Sequence, residues 1–160
     1  MVISIPKIAL EDVYISVLTE KRVTNAEGWT RKEPVSHDLR PSGSVIVDAV
    51  VLLLHHNRFR DPKTAVERLA VNGRELSTAL HLLTGFTLRS FIEHYRLMEA
   101  QEYLACTGLA TKEIARRCGY TGRTEEKTFH KMFKLLTGMC VLSYRRQHRP
   151  RNFQDLYSWD

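Results

Sequence analysis

The 160-residue chain lacks most of the features that announce covalent or metal chemistry. Its three cysteines, Cys106, Cys118 and Cys140, are an odd number with no CxxC pair. Neither a disulfide framework nor a cysteine zinc site is encoded, and a reducing cytosol is the expected setting. All three thiols fall on or beside apolar helix faces and read as buried structural groups. Long apolar runs are absent as well. The longest, Val45 to Leu54, holds ten residues interrupted by Asp48, roughly half of what spans a bilayer, so it predicts a buried core helix and no membrane partner. The N-terminal MVISIPKIALEDV meets acidic residues too early for a secretion signal, and no export is expected. Paired carboxylates, a nucleophile beside a base and a glycine-rich phosphate loop are missing, which argues against an enzyme; no cofactor is expected. His55-His56 has no acid or thiol at ligand spacing, so no metal site is assigned.

What is present is positive charge in one part of the chain. Lys and Arg number 24 against 18 Asp and Glu, giving a net charge of +6. Residues 1–44 hold six of each sign, so the whole excess lies in residues 45–160. A polyanionic partner is one reading of that asymmetry, an ordinary solvated basic surface the other. The length fits one domain or two very small ones.

The organisation changes at the same place. Within residues 1–44, Val2 to Ile8 and Val13 to Leu18 have the composition of short strands, and Gly28, Pro34, Pro41 and Gly43 interrupt the polar stretch between them and Ser44. This arm reads as a small hairpin or a partly disordered appendage of unknown role. From Ser44 onward the periodicity is helical, and the fold class is mainly all-α. Asp61-Pro62 supplies an N-cap followed by proline at N1, opening a helix to about Ala70 that buries Ala65, Val66 and Leu69. Asn72-Gly73-Arg74-Glu75 is a variant capping box for a helix with the buried stripe Leu76, Leu80 and Leu83. Gly85 suits the left-handed C′ position, and Thr87 caps a longer helix from Leu88 to about Ala105.

The pattern then repeats. Leu76, Leu80, the string Leu82-Leu83-Thr84-Gly85 and Phe91 recur 53 residues later as Phe129, Phe133, Leu135-Leu136-Thr137-Gly138 and Tyr144. Upstream of them, Ile114 to Tyr120 forms another short helix stopped by Gly119. The unit is short helix, turn, helix, twice, joined by a rod of about 27 Å. Such spacing suits two helices entering successive major grooves, roughly 34 Å apart.

These residues resemble the AraC/XylS family of transcription regulators. Asn72 to Leu76 with Leu80 and Leu82 to Gly85 is similar to the first recognition helix of that family. Phe91-Ile92, Tyr95-Arg96-Leu97, Ala100 and Leu104 are similar to its linker helix. Lys112 to Ala115, Cys118-Gly119-Tyr120, Phe129, Phe133-Lys134, Thr137-Gly138 and Tyr144-Arg145 resemble the second unit. The resemblance covers residues 45–146 as a double helix-turn-helix DNA-binding domain, leaving 147–160 as a basic and aromatic tail; the run from Arg145 to Arg151, which crosses that boundary, is either a phosphate contact or a solvated terminus. It departs from the family in three ways. Ala70 stands where a small pivot such as glycine is usual, which predicts a modified first turn. About three extra residues lie between Tyr120 and Phe129. The 44-residue arm is smaller than a sensory domain, so no small-molecule effector is expected.

The resemblance implies double-stranded DNA as partner, recognised by the exposed face of the second helix of each unit. That face is Arg74, Ser77, Thr78 and His81 in the first unit. In the second it is Glu126, Lys127, His130 and Lys131, with Lys134 and Arg123 beside it and Lys112, Arg116 and Arg117 as further phosphate neighbours. Arg74 has the planar fork for guanine O6 and N7, whereas lysines suit phosphates. An activator touching RNA polymerase in the cytoplasm, on the nucleoid, is the implied role. The competing expectation is a degenerate helix-turn-helix that docks on another protein without specific DNA binding.

Overall fold

The computed structural model describes residues 7–159, in two compact units. One gathers the residues up to Ile15 with Asp38–Arg96, the other Ser16–His37 with the residues from Leu97 on.

The first unit contains α1 (Leu10–Val13), α2 (Val45–His56), α3 (Pro62–Leu69), α4 (Gly73–Thr84) and the first half of α5 (Leu88–Cys106). The acid that interrupts the apolar run fixes the start of α2. Asp48 accepts from the Ser42 amide at 3.0 Å and its hydroxyl at 2.7 Å, while the Ser44 hydroxyl caps Val47 N. Val47, Val50, Val51 and Leu54 are fully buried, but Val45 is 85% exposed, so the run is one-sided rather than buried throughout. Asp61 caps α3 through the Thr64 amide and hydroxyl, and Asn72 caps α4 through the amides of Arg74 and Glu75. Ala65, Leu76, Leu80, Phe91, Ile92 and Tyr95 form the core with Leu10, Val13 and Ile15; Val66, Leu69 and Leu83 are only half-buried.

Inside this core lies a charge. Arg96 is 1% exposed. Its guanidinium donates to the carbonyls of Leu54 (2.9 Å), Asn57 (2.7 Å) and Phe59 (2.8 and 2.9 Å), satisfying the open C-terminal end of α2.

The second unit carries β1 (Leu18–Thr24), β2 (Thr30–Pro34), the rest of α5, then α6 (Thr111–Arg117), α7 (Glu125–Thr137), α8 (Val141–His148), α9 (Phe153–Leu156) and β3 (Tyr157–Trp159). The strands make an antiparallel sheet in the order β2-β1-β3, with Lys21 opposite Glu33 and Tyr157. Its entry is anchored on α5: Glu102 accepts from the Ser16 hydroxyl and the Val17 amide. The core is Tyr103, Leu104, Ile114, Ala115, Cys118, Tyr120, Phe129, Phe133 and Val141. Arg145 on α8 repeats the role of Arg96, donating to the carbonyls of Leu104, Thr107 and Leu109 where α5 ends.

Three expectations change. Val13 to Leu18 is not a strand: Val13 closes α1, and the strand begins at Leu18. Tyr14 there packs on Tyr95 of α5 and Val17 on the core of the second unit, and the hairpin is instead set by Asn25, whose side chain accepts from the Glu27 and Trp29 amides to form the turn. The region after Ser44 is not wholly helical, because Tyr157–Trp159 returns to pair with β1. Most of Val2 to Ile8 lies outside the described residues, and Lys7 and Ile8 belong to no strand.

Candidate nucleic-acid interface

Each helix-turn-helix begins with a tight chain reversal. In the first, Ala70 adopts φ 54, ψ 45, with Ala70 N donating to Glu67 O and Val71 N to Val66 O. The modified turn anticipated from Ala70 is therefore absent: the left-handed geometry is kept, and alanine carries its strain. In the second, Gly119 takes the same position at φ 89, with Gly119 N bonding Arg116 O and Tyr120 N bonding Ala115 O. The turns differ afterwards. Five residues separate Ala70 from Leu76 and nine separate Gly119 from Phe129, and Gly122 at φ 104 bends the additional loop.

Beyond the turns the two second helices superimpose in sequence at an offset of 53. Leu76 and Leu80 in α4, and Phe129 and Phe133 in α7, are buried. Their burial turns Arg74, Thr78 and His81 outward on α4 and Lys127, Lys131 and Lys134 outward on α7; all six are exposed. These positions are i, i+4 and i+7, one stripe along each helix. Arg123 is exposed in the second turn.

The fourth pair of equivalent positions behaves differently. Ser77 is half-buried, and its hydroxyl accepts from Leu88 N at 3.3 Å, tying α4 to the start of α5. His130 lies 3.7 Å from the Glu126 carboxylate, which also accepts from the Thr111 hydroxyl at 3.0 Å. Ser77, His130 and Glu126 are thus engaged inside their own units. The arginines of α6 are engaged too. Hydrogen bonds from Arg116 first, then Arg117, hold the Glu113 carboxyl below its usual range, and Arg117 lies 5.6 Å over the Tyr103 ring. Lys112 is exposed.

Sequence reasoning did not find two features. One is the pair of arginine clasps. The other is Leu82 and Leu135, again 53 apart, which are 58% and 72% exposed on the outer faces of α4 and α7. Of the cysteines, Cys118 is buried, but Cys140 is exposed at the N-cap of α8, where the Ser143 hydroxyl lowers its thiol pKa. Cys106 is half-buried, and burial pushes its thiol up to about 11. Among the described residues no three His, Cys, Asp or Glu side chains converge to hold a metal ion, and no helix is long and apolar enough to cross a membrane.

Comparison with known proteins gives this arrangement relatives. A model of a helix-turn-helix domain family matches residues 65–147, just over half of the chain. An uncharacterized HTH-type transcriptional regulator, YtdP of Bacillus subtilis (strain 168), is 27% identical over 147 residues, which is 86% of this chain and 18% of YtdP. The chain thus spans less than a fifth of that relative. Among solved structures, the C-terminal domain of AraT, a response regulator from Geobacillus stearothermophilus, is 28% identical with a TM-score of 0.59, covering 67% of this chain and 88% of that one. The DNA-binding domain of AdpA, a global transcriptional factor solved in complex with a target DNA, is 25% identical with a TM-score of 0.56, covering 68% and 96%. The xylose-binding transcription activator xylR shares the fold at 22% identity, TM-score 0.58, over 75% of this chain and 32% of its own.

Proposed function

Because this chain belongs to the AraC/XylS family of helix-turn-helix transcription regulators, we propose that it recognises specific double-stranded DNA sequences by inserting α4 and α7 into successive major grooves. The observation that carries this reading is the pair of outward stripes, Arg74-Thr78-His81 and Lys127-Lys131-Lys134, at equivalent positions of two helix-turn-helix units. Arg74 supplies bidentate recognition of guanine, and Thr78 and His81 reach base edges or phosphates. The three lysines, with Arg123, supply phosphate contacts that give affinity without sequence preference. Activation through RNA polymerase in the cytoplasm completes the proposal. Ser77 and His130 flank these stripes, each also holding a contact within its own unit.

The decisive experiment is selection of bound sites from a random duplex library. An enriched motif in two segments about one helical turn apart is expected. With about five phosphates neutralised, log K falls against log salt with a slope of roughly −4 to −5. No enrichment, together with a slope shallower than about −2, overturns the proposal.

The exposed Leu82 and Leu135 favour one other reading, a helix-turn-helix used to dock on a protein. Binding to DNA that is micromolar or weaker and indifferent to sequence selects that reading.

A further inference from the structure

Where α8 ends, the chain surrounds a cleft of about 540 Å³ within the second unit, of a size that admits a small organic molecule. Arg145, Arg146, Arg149 and Arg151 line it, and among the described residues no carboxylate does. The rest of the wall is apolar: Leu142, whose side chain is exposed, with Pro150 and Phe153.

Two of the four guanidiniums are built into the protein. Arg145 is held by the carbonyls of Leu104, Thr107 and Leu109, and Arg149 by the Thr107 carbonyl while its guanidinium lies 4.1 Å over the Phe153 ring. Burial presses both downward in pKa, and Arg149 adds to the effect on Arg145. Arg146 and Arg151 are exposed at the rim. Fixed positive charge at the back, exposed donors at the rim and an apolar wall form a complementary surface for one class of molecule.

We propose that this cleft binds a small amphipathic anion, an aromatic or aliphatic body bearing a carboxylate or sulfonate, with the body against Leu142, Pro150 and Phe153 and the anionic group on Arg146 and Arg151. A phosphodiester of DNA meets the charge of the cleft but leaves the apolar wall unfilled. The site is separate from the stripes on α4 and α7, so its test does not depend on specific DNA recognition.

The probes are naphthalene sulfonate and decanoate, titrated calorimetrically against the full chain, with naphthalene methanol and decanol as neutral counterparts. One anion per chain is expected to bind, with the alcohols weaker by about tenfold or more, since a charge-assisted hydrogen bond is lost. The double variant Arg146→Gln, Arg151→Gln loses anion affinity by a similar factor, whereas Arg146→Lys, Arg151→Lys keeps most of it. Both pairs are at the rim, and unchanged circular dichroism confirms their folding. Equal binding of acids and alcohols overturns the proposal. So does a glutamine variant that binds the sulfonate unchanged but loses affinity for a random duplex, which makes the cleft a DNA phosphate contact.

Discussion

The first helix-turn-helix unit closes its turn on Ala70 and reaches the buried face of its second helix in five residues, whereas the second closes on Gly119 and needs nine. The short turn hands over directly to Asn72, whose side chain caps two amides of α4. The long turn ends on Thr124, whose side chain makes no capping bond to α7. The outward stripes differ in the same sense: one permanent cation on α4, at its N-terminal end, against three on α7. A short capped turn fixes the register of Arg74 where planar recognition demands it. A longer, uncapped turn fixes its helix less directly, which suits point charges on phosphates better than planar recognition. The units share a fold, and in the proposed function they divide the work.

The arginine clasps offer the largest way to sharpen that contrast. Arg96 is buried with three backbone carbonyls as partners, while Arg145 is half-buried and close to a second arginine that bonds the same Thr107 carbonyl. Arg96→Met leaves those carbonyls dry and is expected to lower stability by about 3 kcal/mol or more. Arg145→Met, with Arg149 and solvent to compensate, loses about 1 kcal/mol. Urea unfolding followed by circular dichroism measures both, and equal losses erase the asymmetry.

Next in size is the division between reading and binding. Arg74→Ala is expected to lose about 1 to 3 kcal/mol on the preferred site and to flatten discrimination at one base pair. Lys131→Ala weakens all duplexes alike and reduces the salt slope by about 1. If Arg74→Ala weakens matched and scrambled duplexes equally while Lys131→Ala alone removes the difference between them, the second helix is the reader.

The caps give a smaller pair of effects. Asn72→Ala leaves the amides of Arg74 and Glu75 without their acceptor and is expected to lower stability by about 1 kcal/mol. Thr124→Ala, which removes no such bond, leaves the urea midpoint nearly unmoved. A large loss at Thr124 reveals a cap on α7 and makes the turns equivalent.

How much of the molecule was legible in the sequence depends on how locally each feature is determined. Caps at Asp61 and Asn72, glycine stops at Gly85 and Gly138, and the stripes of α4 and α7 depend on neighbours within a turn or two, and periodicity finds them. The arm depends on distant partners. Val13 and Ile15 are buried in the first unit without belonging to a strand, and β1 takes Tyr157–Trp159 as its second neighbour from the far end of the chain. Arg96 stands between Ile92 and Ala100 at i+4 spacing, but its carbonyl partners lie 37 to 42 residues away, and nothing local announces them. The contacts of Ser77 with Leu88 N and of His130 with Glu126 were hidden for a similar reason, since helical periodicity places both residues on the edge of the outward face and says nothing of those partners.

The smallest expected effect bears on the pivot itself. A left-handed conformation raises the energy of a non-glycine residue by about 1 to 2 kcal/mol, so Ala70 at φ 54 stores strain that Gly119 at φ 89 does not. Glycine also gives the unfolded chain more freedom, an opposing effect of about 0.4 to 1 kcal/mol. The difference predicts that Ala70→Gly stabilises by about 0.5 kcal/mol, while the reciprocal Gly119→Ala destabilises by about 1 kcal/mol because it adds the strain and the packed turn must absorb it. Urea midpoints measure both, and a destabilising Ala70→Gly shows that the α3–α4 turn has already relaxed around its alanine. DNA titration of the same variant tests the comparison at its root. A pivot that matters only for stability leaves discrimination between matched and scrambled duplexes unchanged. If the register of Arg74 depends on a stiff alanine, the more stable Ala70→Gly protein discriminates less well, and the short turn is then kept strained by the demands of reading.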